Sequence, residues 1–176
     1  MRRPTAAVGS AVFFLVGPGI IAGLIPWLLT GGWQVREPVA YWAPMRVIGV
    51  ILLVAGVIVV IQAFVRFVVE GFGTPAPVAA PERLVIGGVY RYVRNPMYVA
   101  ILATMVGQAL LLGQLGLLLY AAAIWLIAAA FVRFYEEPTL TRRFGADYEA
   151  YRRAVPAWWP RLRPWEPHER DEPGSG

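Results

Sequence analysis

The sequence predicts an all-α fold that crosses a membrane about four times, as indicated by its composition, its apolar segments and the placement of its charges. Hydrophobic residues make up 58% of the 176-residue chain, charged residues only 15%, and the mean hydropathy is +0.56. A water-soluble domain of this size could not bury so much apolar surface, whereas a polytopic membrane protein exposes it to lipid.

Four apolar segments support this topology, at residues 8–30, 47–69, 97–112 and 117–134. The first two are as long as the roughly 20 residues that a helix needs to cross the hydrocarbon core. The third is short, and Gly113-Gln114-Leu115-Gly116 separates it from the fourth, so we expect a tight helical hairpin. Gly17-Pro18-Gly19 and Pro26 interrupt the first segment and predict a kinked helix there.

The arginines lie mostly on one side of the predicted membrane. With four spans, the termini and the 70–95 loop share the side that carries 14 of the 16 basic residues, and only Arg36 and Arg46 lie opposite. The positive-inside rule places the crowded side in the cytoplasm. Because the arginines cluster at the ends of apolar segments, they suit anionic lipid head groups better than a nucleic acid. We therefore expect membrane lipid, and no nucleic acid, among the partners.

Composition excludes several kinds of catalytic site. The chain has no cysteine, which removes disulfides, thiolate metal sites and a thiol nucleophile. Lysine is also absent, and with it Schiff-base chemistry. The single histidine, His168, lies in a polar tail, so neither a histidine metal cluster nor a Ser-His pair has a candidate.

Beyond Pro138 the pattern changes to that of an amphipathic helix, which we expect to lie at the membrane interface. Apolar and aromatic residues recur every three or four positions, charged residues occupy the other faces, and Gly145 predicts a break or bend. The apolar stripe consists of Leu140, Phe144, Tyr148, Tyr151 and Val155. The tryptophans that follow, Trp158, Trp159 and Trp165, suit an aromatic belt at head-group depth.

The stretch from Arg91 to Ala100, RYVRNPMYVA, allows two interpretations. In the first, Asn95 is an N-cap, Pro96 is the first residue of the third helix, and the tyrosines and arginines anchor the chain at the interface. In the second, the free N–H groups and positive dipole end of that helix bind a carboxylate, such as the one on an amino-acid-derived cofactor. Local physics favours the first interpretation but does not explain the crowding of hydrogen-bonding side chains.

A second candidate is the pair Glu136-Glu137 at the end of the fourth segment, where acidic residues are unfavourable. They either pair with nearby arginines along a continuing helix, or one of them holds hydroxyls or a cation. If the third and fourth segments form a hairpin, this pair and the Asn95–Tyr98 helix start lie at the same membrane face. A polar ligand from water and an apolar one from the bilayer would meet there.

An ordered series of short motifs runs through the second half of the chain. It comprises Gly88-Val89-Tyr90, Arg94-Asn95-Pro96-Met97-Tyr98, Glu136-Glu137 with Leu140, Phe144-Gly145 with Tyr148 and Tyr151, and Val155-Pro156. In this order and spacing, residues 74–165 resemble the isoprenylcysteine carboxyl methyltransferase family and its phospholipid N-methyltransferase relatives. The resemblance implies an integral membrane methyltransferase that uses S-adenosylmethionine and has no Rossmann domain. Residues 1–70 would be N-terminal membrane helices, 71–165 the core with the cofactor site, and 166–176 a disordered polar tail.

The resemblance also implies roles for individual residues. The family's Arg-His-Pro-x-Tyr element falls on Arg94 to Tyr98, with Asn95 in place of the histidine of eukaryotic members, and an amide cannot titrate near neutral pH. The implied cofactor-binding residues are Glu82, Arg83, Leu84, Val85, Tyr90, Asn95, Pro96, Met97, Tyr98 and Glu136. Glu137 would support Glu136. The family's substrate-contacting arginine falls on Val132, with Arg133 adjacent, so Arg133 and Glu137 are the catalytic candidates.

The function implied is methyl transfer from S-adenosylmethionine to a lipid-like or hydrophobic acceptor, a prenylcysteine-type carboxylate or a related group, with no metal required. A phosphatidylethanolamine amine and an unrelated apolar metabolite remain open as acceptors. The alternative is a non-enzymatic membrane scaffold or lipid-binding protein on the same fold; a transporter would need paired broken helices or charges within its spans. We expect an integral protein of the bacterial cytoplasmic membrane with its active site on the cytoplasmic side. Gly49 and Gly56 suit helix packing within or between chains, so the oligomeric state is open.

Overall fold

The computed structural model describes residues 16–71 and 84–166, with side chains described to residue 66 in the first range. Within these ranges the chain contains helices and no strand, which confirms the all-α class. The helices are α1 over Val16–Leu29, α2 over Ala43–Gly71, α3 over Pro96–Leu112, α4 over Gly116–Phe144 and α5 over Ala146–Ala154. A 3₁₀ turn over Gly88–Arg91 precedes α3.

Two helices are long and apolar enough to cross a membrane, namely α2 over Ala43–Arg66 and α4 over Gly116–Phe144, while α1 and α3 are shorter apolar helices. One face of α2 is apolar and at least 50% exposed from Val47 to Val65. That face consists of Val47, Ile51, Val54, Ile58, Ile61 and Val65. The spacing of three and four residues makes a continuous stripe, which is stable against lipid and unfavourable in water. The chain is therefore an integral membrane protein, and the number of four spans remains a prediction.

Helices α2 and α3 approach each other closely at their glycines. A Cβ atom on Gly107 of α3 would lie 2.7 Å from the backbone nitrogen of Leu53 and 2.8 Å from the carbonyl oxygen of Gly49. A Cβ on Gly56 would lie 2.8 Å from the carbonyl oxygen of Ala100. Small residues allow this backbone contact in membrane helices, where van der Waals packing drives association. Gly49 and Gly56 therefore serve packing within the chain.

The predicted interruption of the first segment takes the form of a π turn at Ile20–Leu24, in which the Ile25 N–H bonds to the Ile20 carbonyl. Pro26 has no N–H, so the carbonyl of Ala22, four residues earlier, loses its regular helical donor. The Gln108 side chain of α3 donates to that carbonyl at 2.7 Å, and the Tyr120 hydroxyl of α4 donates to the neighbouring Ile21 carbonyl at 2.9 Å. The proline and the π turn thus leave two carbonyls of α1 free to accept side-chain hydrogen bonds, which join α1 to α3 and α4.

This fastening predicts that Gln108→Leu destabilises the chain by about 1 kcal/mol, because the Ala22 carbonyl loses its donor in an apolar setting. The cost stays modest since the substitution also removes Gln108 Oε1, which is buried without a hydrogen-bond partner in the described ranges. Thermal unfolding in detergent would show a melting temperature lower by about 2–4 °C. The matched control is Gln62→Leu on the exposed side of α2. Equal melting temperatures for the two variants would contradict the assigned hydrogen bond.

The turn between α3 and α4 is formed by residues 113–115. Gly113 has a φ of 66° at the end of α3, a left-handed conformation that favours glycine. The buried side chains of Ala109, Leu112 and Leu117 pack together beside it. The loop between α1 and α2 is held beside this turn, since the Arg36 N–H donates to the Leu112 carbonyl at 2.7 Å. Whether the two helices form a hairpin within the bilayer remains a prediction.

The C-terminal region breaks at Gly145, where φ is 52° and ψ is −125°, as the sequence predicts. The stripe from Leu140 to Val155 packs against the chain itself, where Tyr148, Tyr151 and Val155 are almost completely buried. Leu84, Ile86 and Trp165 complete this cluster. The stripe is thus an internal packing surface. The predicted disorder of the polar tail from His168 onward lies outside the described residues.

Candidate functional site

A cavity of about 340 Å³ lies at the α3 amino terminus, between α3, α4, α1 and the segment that precedes α3. Its inner walls are apolar: Pro18 and Ile21 come from α1, Ile101 from α3, and Ile127 and Phe131 from α4. Its other end is polar and holds the residues around Asn95 and Glu136. A volume of this size is within the range of small-molecule sites, and the mixed lining suits a ligand with one apolar and one polar part.

Pro96 is the first residue of α3 and Asn95 occupies the N-cap position, as the structural interpretation of this stretch predicts. The Asn95 side chain does not cap the helix, however. Its Nδ2 donates to the carbonyl oxygen of Ala157 at 3.2 Å, and its backbone N–H donates to the same oxygen at 3.2 Å. The first helical hydrogen bond runs from the Val99 N–H to the Asn95 carbonyl, so the N–H groups of Met97 and Tyr98 precede the helical ladder.

The two glutamates at the end of α4 have different surroundings, although they are adjacent in sequence. Glu136 lines the cavity, and the Tyr98 hydroxyl donates to its Oε2 at 3.4 Å. No arginine of the described ranges forms an ion pair with it. Glu137 Oε1 instead lies 2.7 Å from Nη1 of Arg94, in a pair whose side chains are 8% and 11% exposed. Glu136 therefore supplies an uncompensated carboxylate, whereas the charge of Glu137 is balanced.

Arg94 joins three parts of the site. Besides its bond to Glu137, its Nε donates to the carbonyl oxygen of Val155 at 2.9 Å, and Nη1 donates to the Tyr148 hydroxyl at 3.2 Å. The partly exposed Arg152 and the exposed Arg133 approach the other Glu137 oxygen at 3.4 and 3.8 Å. A buried charge needs such a set of partners to remain ionised, so Arg94 and Glu137 form one polar network.

Tyr148 and Tyr151 of α5 close the cavity on the side of the C-terminal cluster. Burial raises the pKa of both phenols above the ordinary value of 10, and the neighbouring Arg94 opposes that rise. Both hydroxyls therefore keep their protons at neutral pH and act as neutral hydrogen-bonding groups. The Tyr151 hydroxyl donates to the carbonyl oxygen of Tyr90 at 2.7 Å, which fixes the segment leading into α3.

The structure brings most of the predicted site residues to this cavity. The predicted residues that line the cavity are Leu84, Val85, Tyr90, Asn95, Pro96, Met97, Tyr98, Glu136 and Glu137. Glu82 and Arg83 lie outside the described residues. Arg133 does not line the cavity and its side chain is 66% exposed, while the neighbouring Val132 is buried in the wall. The prediction omitted Arg94, Tyr148 and Tyr151 as site residues, although all three belong to the motifs that carried the resemblance.

Comparisons with known proteins place the chain in a family. The profile of the phospholipid methyltransferase family matches residues 44–147, which is more than half of the chain. The chain belongs to the phospholipid methyltransferase family. The match includes α2, α3 and α4, with Arg94 to Tyr98 and the two glutamates, and ends at the start of α5.

A curated relative of this family member is the Protein-S-isoprenylcysteine O-methyltransferase of Schizosaccharomyces pombe. The two chains are 37% identical over 78 residues, which is 44% of this chain and 33% of the relative. The matched part is therefore about a third of the yeast protein. No solved structure matches the chain. Family and relative together indicate a membrane methyltransferase.

Proposed function

We propose that this chain transfers a methyl group from S-adenosylmethionine to a lipid-like or hydrophobic acceptor at the cytoplasmic face of a membrane. The observation that carries the proposal is the cavity itself. One end offers the uncompensated carboxylate of Glu136 and the polar start of α3, and the apolar walls come from α1 and α4. A polar cofactor and an apolar acceptor can meet there with water excluded.

The residues at the polar end fit the chemical groups of the cofactor. Glu136 suits ribose hydroxyls or the ammonium group, and the free N–H groups of Met97 and Tyr98 suit the carboxylate. Leu84, Val85 and the ring of Tyr90 offer an apolar surface for the base. When bound, the cofactor supplies a methyl group on a sulfonium, so the protein's tasks are alignment, exclusion of water and charge stabilisation.

Arg94 and Glu137 have a positioning role in this proposal, since their opposite charges form an ion pair with each other. The pair fixes the end of α4 against the start of α3, and so holds Glu136 opposite Asn95 and Tyr98. Arg133 is 66% exposed and lies 3.8 Å from Glu137, a long contact that it can give up to meet the head group of an acceptor that enters from the lipid. We assign the acceptor to the prenylcysteine-carboxylate or phospholipid type because the family and the yeast relative are named for such reactions.

The proposal predicts that purified protein in detergent binds S-adenosylmethionine or its demethylated product saturably, and that Glu136→Gln weakens binding about 10- to 100-fold. That range corresponds to a lost hydrogen bond to a charged group. Titration calorimetry on both proteins makes the measurement. The control is Glu149→Gln, which removes an exposed carboxylate of α5 and should bind as wild type does.

Absence of binding by folded wild-type protein would contradict the proposed function and favour a membrane scaffold. If binding is found, incubation with isotopically labelled S-adenosylmethionine and fractionated lipid extract identifies the acceptor. A labelled ester that alkali hydrolyses indicates a carboxylate acceptor, and an alkali-stable label indicates an amine.

A further inference from the structure

The segment of residues 155–158 lies alongside the start of α3 and is fixed to it by consecutive hydrogen bonds. The backbone N–H of Arg94 donates to the Pro156 carbonyl at 2.9 Å, and its Nε donates to the Val155 carbonyl at 2.9 Å. Asn95 gives both its backbone N–H and its Nδ2 to the Ala157 carbonyl. Three successive carbonyls are thus bound by two residues of the site, so the position of the next residue, Trp158, is fixed relative to α3.

The indole of Trp158 lies close to two aromatic rings. Its centroid is 6.3 Å from the ring of Tyr98 at an interplanar angle of 49°, and 6.3 Å from the ring of Trp125 on α4 at 73°. Both separations are within the range in which aromatic pairs attract each other. Trp158 therefore restricts the ring of Tyr98 on the side that faces the 155–158 segment.

The orientation of Tyr98 determines its contact with Glu136. Its hydroxyl donates to Glu136 Oε2 at 3.4 Å, which is long for an O–H···O bond, so a small movement of the whole Tyr98 side chain about its Cα–Cβ bond breaks it. Within the described ranges, Tyr98 is the residue whose side chain donates a hydrogen bond to the Glu136 carboxylate.

We propose that Trp158 is a positioning residue that holds the Tyr98 hydroxyl against Glu136 and so orients that carboxylate for the cofactor. The inference rests on the proposed function, because the ligand of Glu136 is the cofactor assigned there. Trp158 itself does not line the cavity, and it acts through Tyr98 alone. The C-terminal segment, which lies beyond the family match, thereby becomes part of the cofactor site.

A double-mutant cycle tests this coupling with S-adenosylhomocysteine, the demethylated cofactor, as the calorimetric probe. Trp158→Ala should weaken binding roughly two- to tenfold, the range that corresponds to a lost aromatic pair. Tyr98→Phe keeps the ring and removes the hydroxyl, and should weaken binding by a similar factor. If Trp158 acts through that hydroxyl, Trp158→Ala in the Tyr98→Phe background causes little further loss, because interacting residues are not additive.

The matched control is Trp159→Ala, since this neighbouring tryptophan is 80% exposed and should bind the probe as wild type does. Trp158→Phe retains part of the ring contact and should restore part of the affinity. If Trp158→Ala fails to fold, Trp158→Phe with and without Tyr98→Phe completes the same cycle.

The possible outcomes separate the inference from the proposed function. Non-additive losses with an unaffected Trp159→Ala support the positioning role. Additive losses, or wild-type affinity in the Trp158 variant, overturn it while the cofactor site stands. Loss of affinity only in proportion to a lower melting temperature also overturns it, since this is the mark of a merely structural residue. Absence of probe binding by the wild type overturns the proposed function itself, and this inference with it.

Discussion

Replacing Glu137 with glutamine is expected to destabilise the folded chain by about 3–5 kcal/mol, because Arg94 would be left as an uncompensated buried charge. The two side chains are 11% and 8% exposed, and they meet at 2.7 Å. Arg152 and Arg133 approach the same carboxylate from more exposed positions, so their loss adds little. Thermal unfolding in detergent, followed by circular dichroism, gives the change in melting temperature.

The control for this substitution is Glu37→Gln, which breaks an exposed ion pair with Arg46 and should change the free energy of unfolding by less than about 1 kcal/mol. A second variant, Arg94→Met combined with Glu137→Gln, removes both charges and should recover part of the loss, since paired removal leaves no buried ion. A Glu137→Gln protein as stable as the wild type would contradict the assigned network.

The helices of this chain were predictable because local rules act on adjacent residues. The apolar segments predicted α2, α3 and α4, and the three-and-four spacing from Leu140 to Val155 predicted the amphipathic region with its break at Gly145. The surface against which this apolar stripe packs was not predictable in the same way. Periodicity indicates which face is apolar but not whether lipid or another part of the chain covers it, and here the 84–86 segment and Trp165 do.

Asn95 shows where local capping physics stops being sufficient. The residue occupies the N-cap position that its type predicts, but its amide bonds to a carbonyl 62 residues away. A tertiary partner therefore competes successfully with the cap. The resemblance to a family indicated that this stretch belongs to a site, whereas the spacing of residues alone left the question open.

The different surroundings of Glu136 and Glu137 were not accessible to sequence reasoning, since Arg94 lies 43 residues from Glu137 along the chain. The helix around them is also irregular, with a π turn over Val132–Glu136. A π turn adds a residue to the helical repeat and so changes which side chains share a face. Val132 lies in the cavity wall and Arg133 at the surface, so the one-residue offset between the family's arginine position and Arg133 corresponds to different faces of the helix.

Introducing a methyl group at Gly107 is expected to destabilise the chain by about 3 kcal/mol, at the upper end of the usual cost of overpacking. In Gly107→Ala the new Cβ would lie 2.7 Å from the Leu53 backbone nitrogen and 2.8 Å from the Gly49 carbonyl oxygen. Both obstacles are backbone atoms, so α2 and α3 must move apart as units. The contact of Gly56 with Ala100 lies between the same two helices. Separating α2 from α3 therefore weakens this contact as well.

The melting temperature of Gly107→Ala in detergent should therefore fall by about 6–12 °C. Gly23→Ala in α1 is the matched control, since a Cβ there meets no atom within 4 Å and alanine is the better helix former. Its melting temperature should stay unchanged or rise slightly. Because the cavity lies at the α3 amino terminus, about one turn from the contact of Gly56 with Ala100, Gly107→Ala should also weaken cofactor binding when the helices separate. Unchanged stability in Gly107→Ala would mean that α2 and α3 do not pack through their glycines.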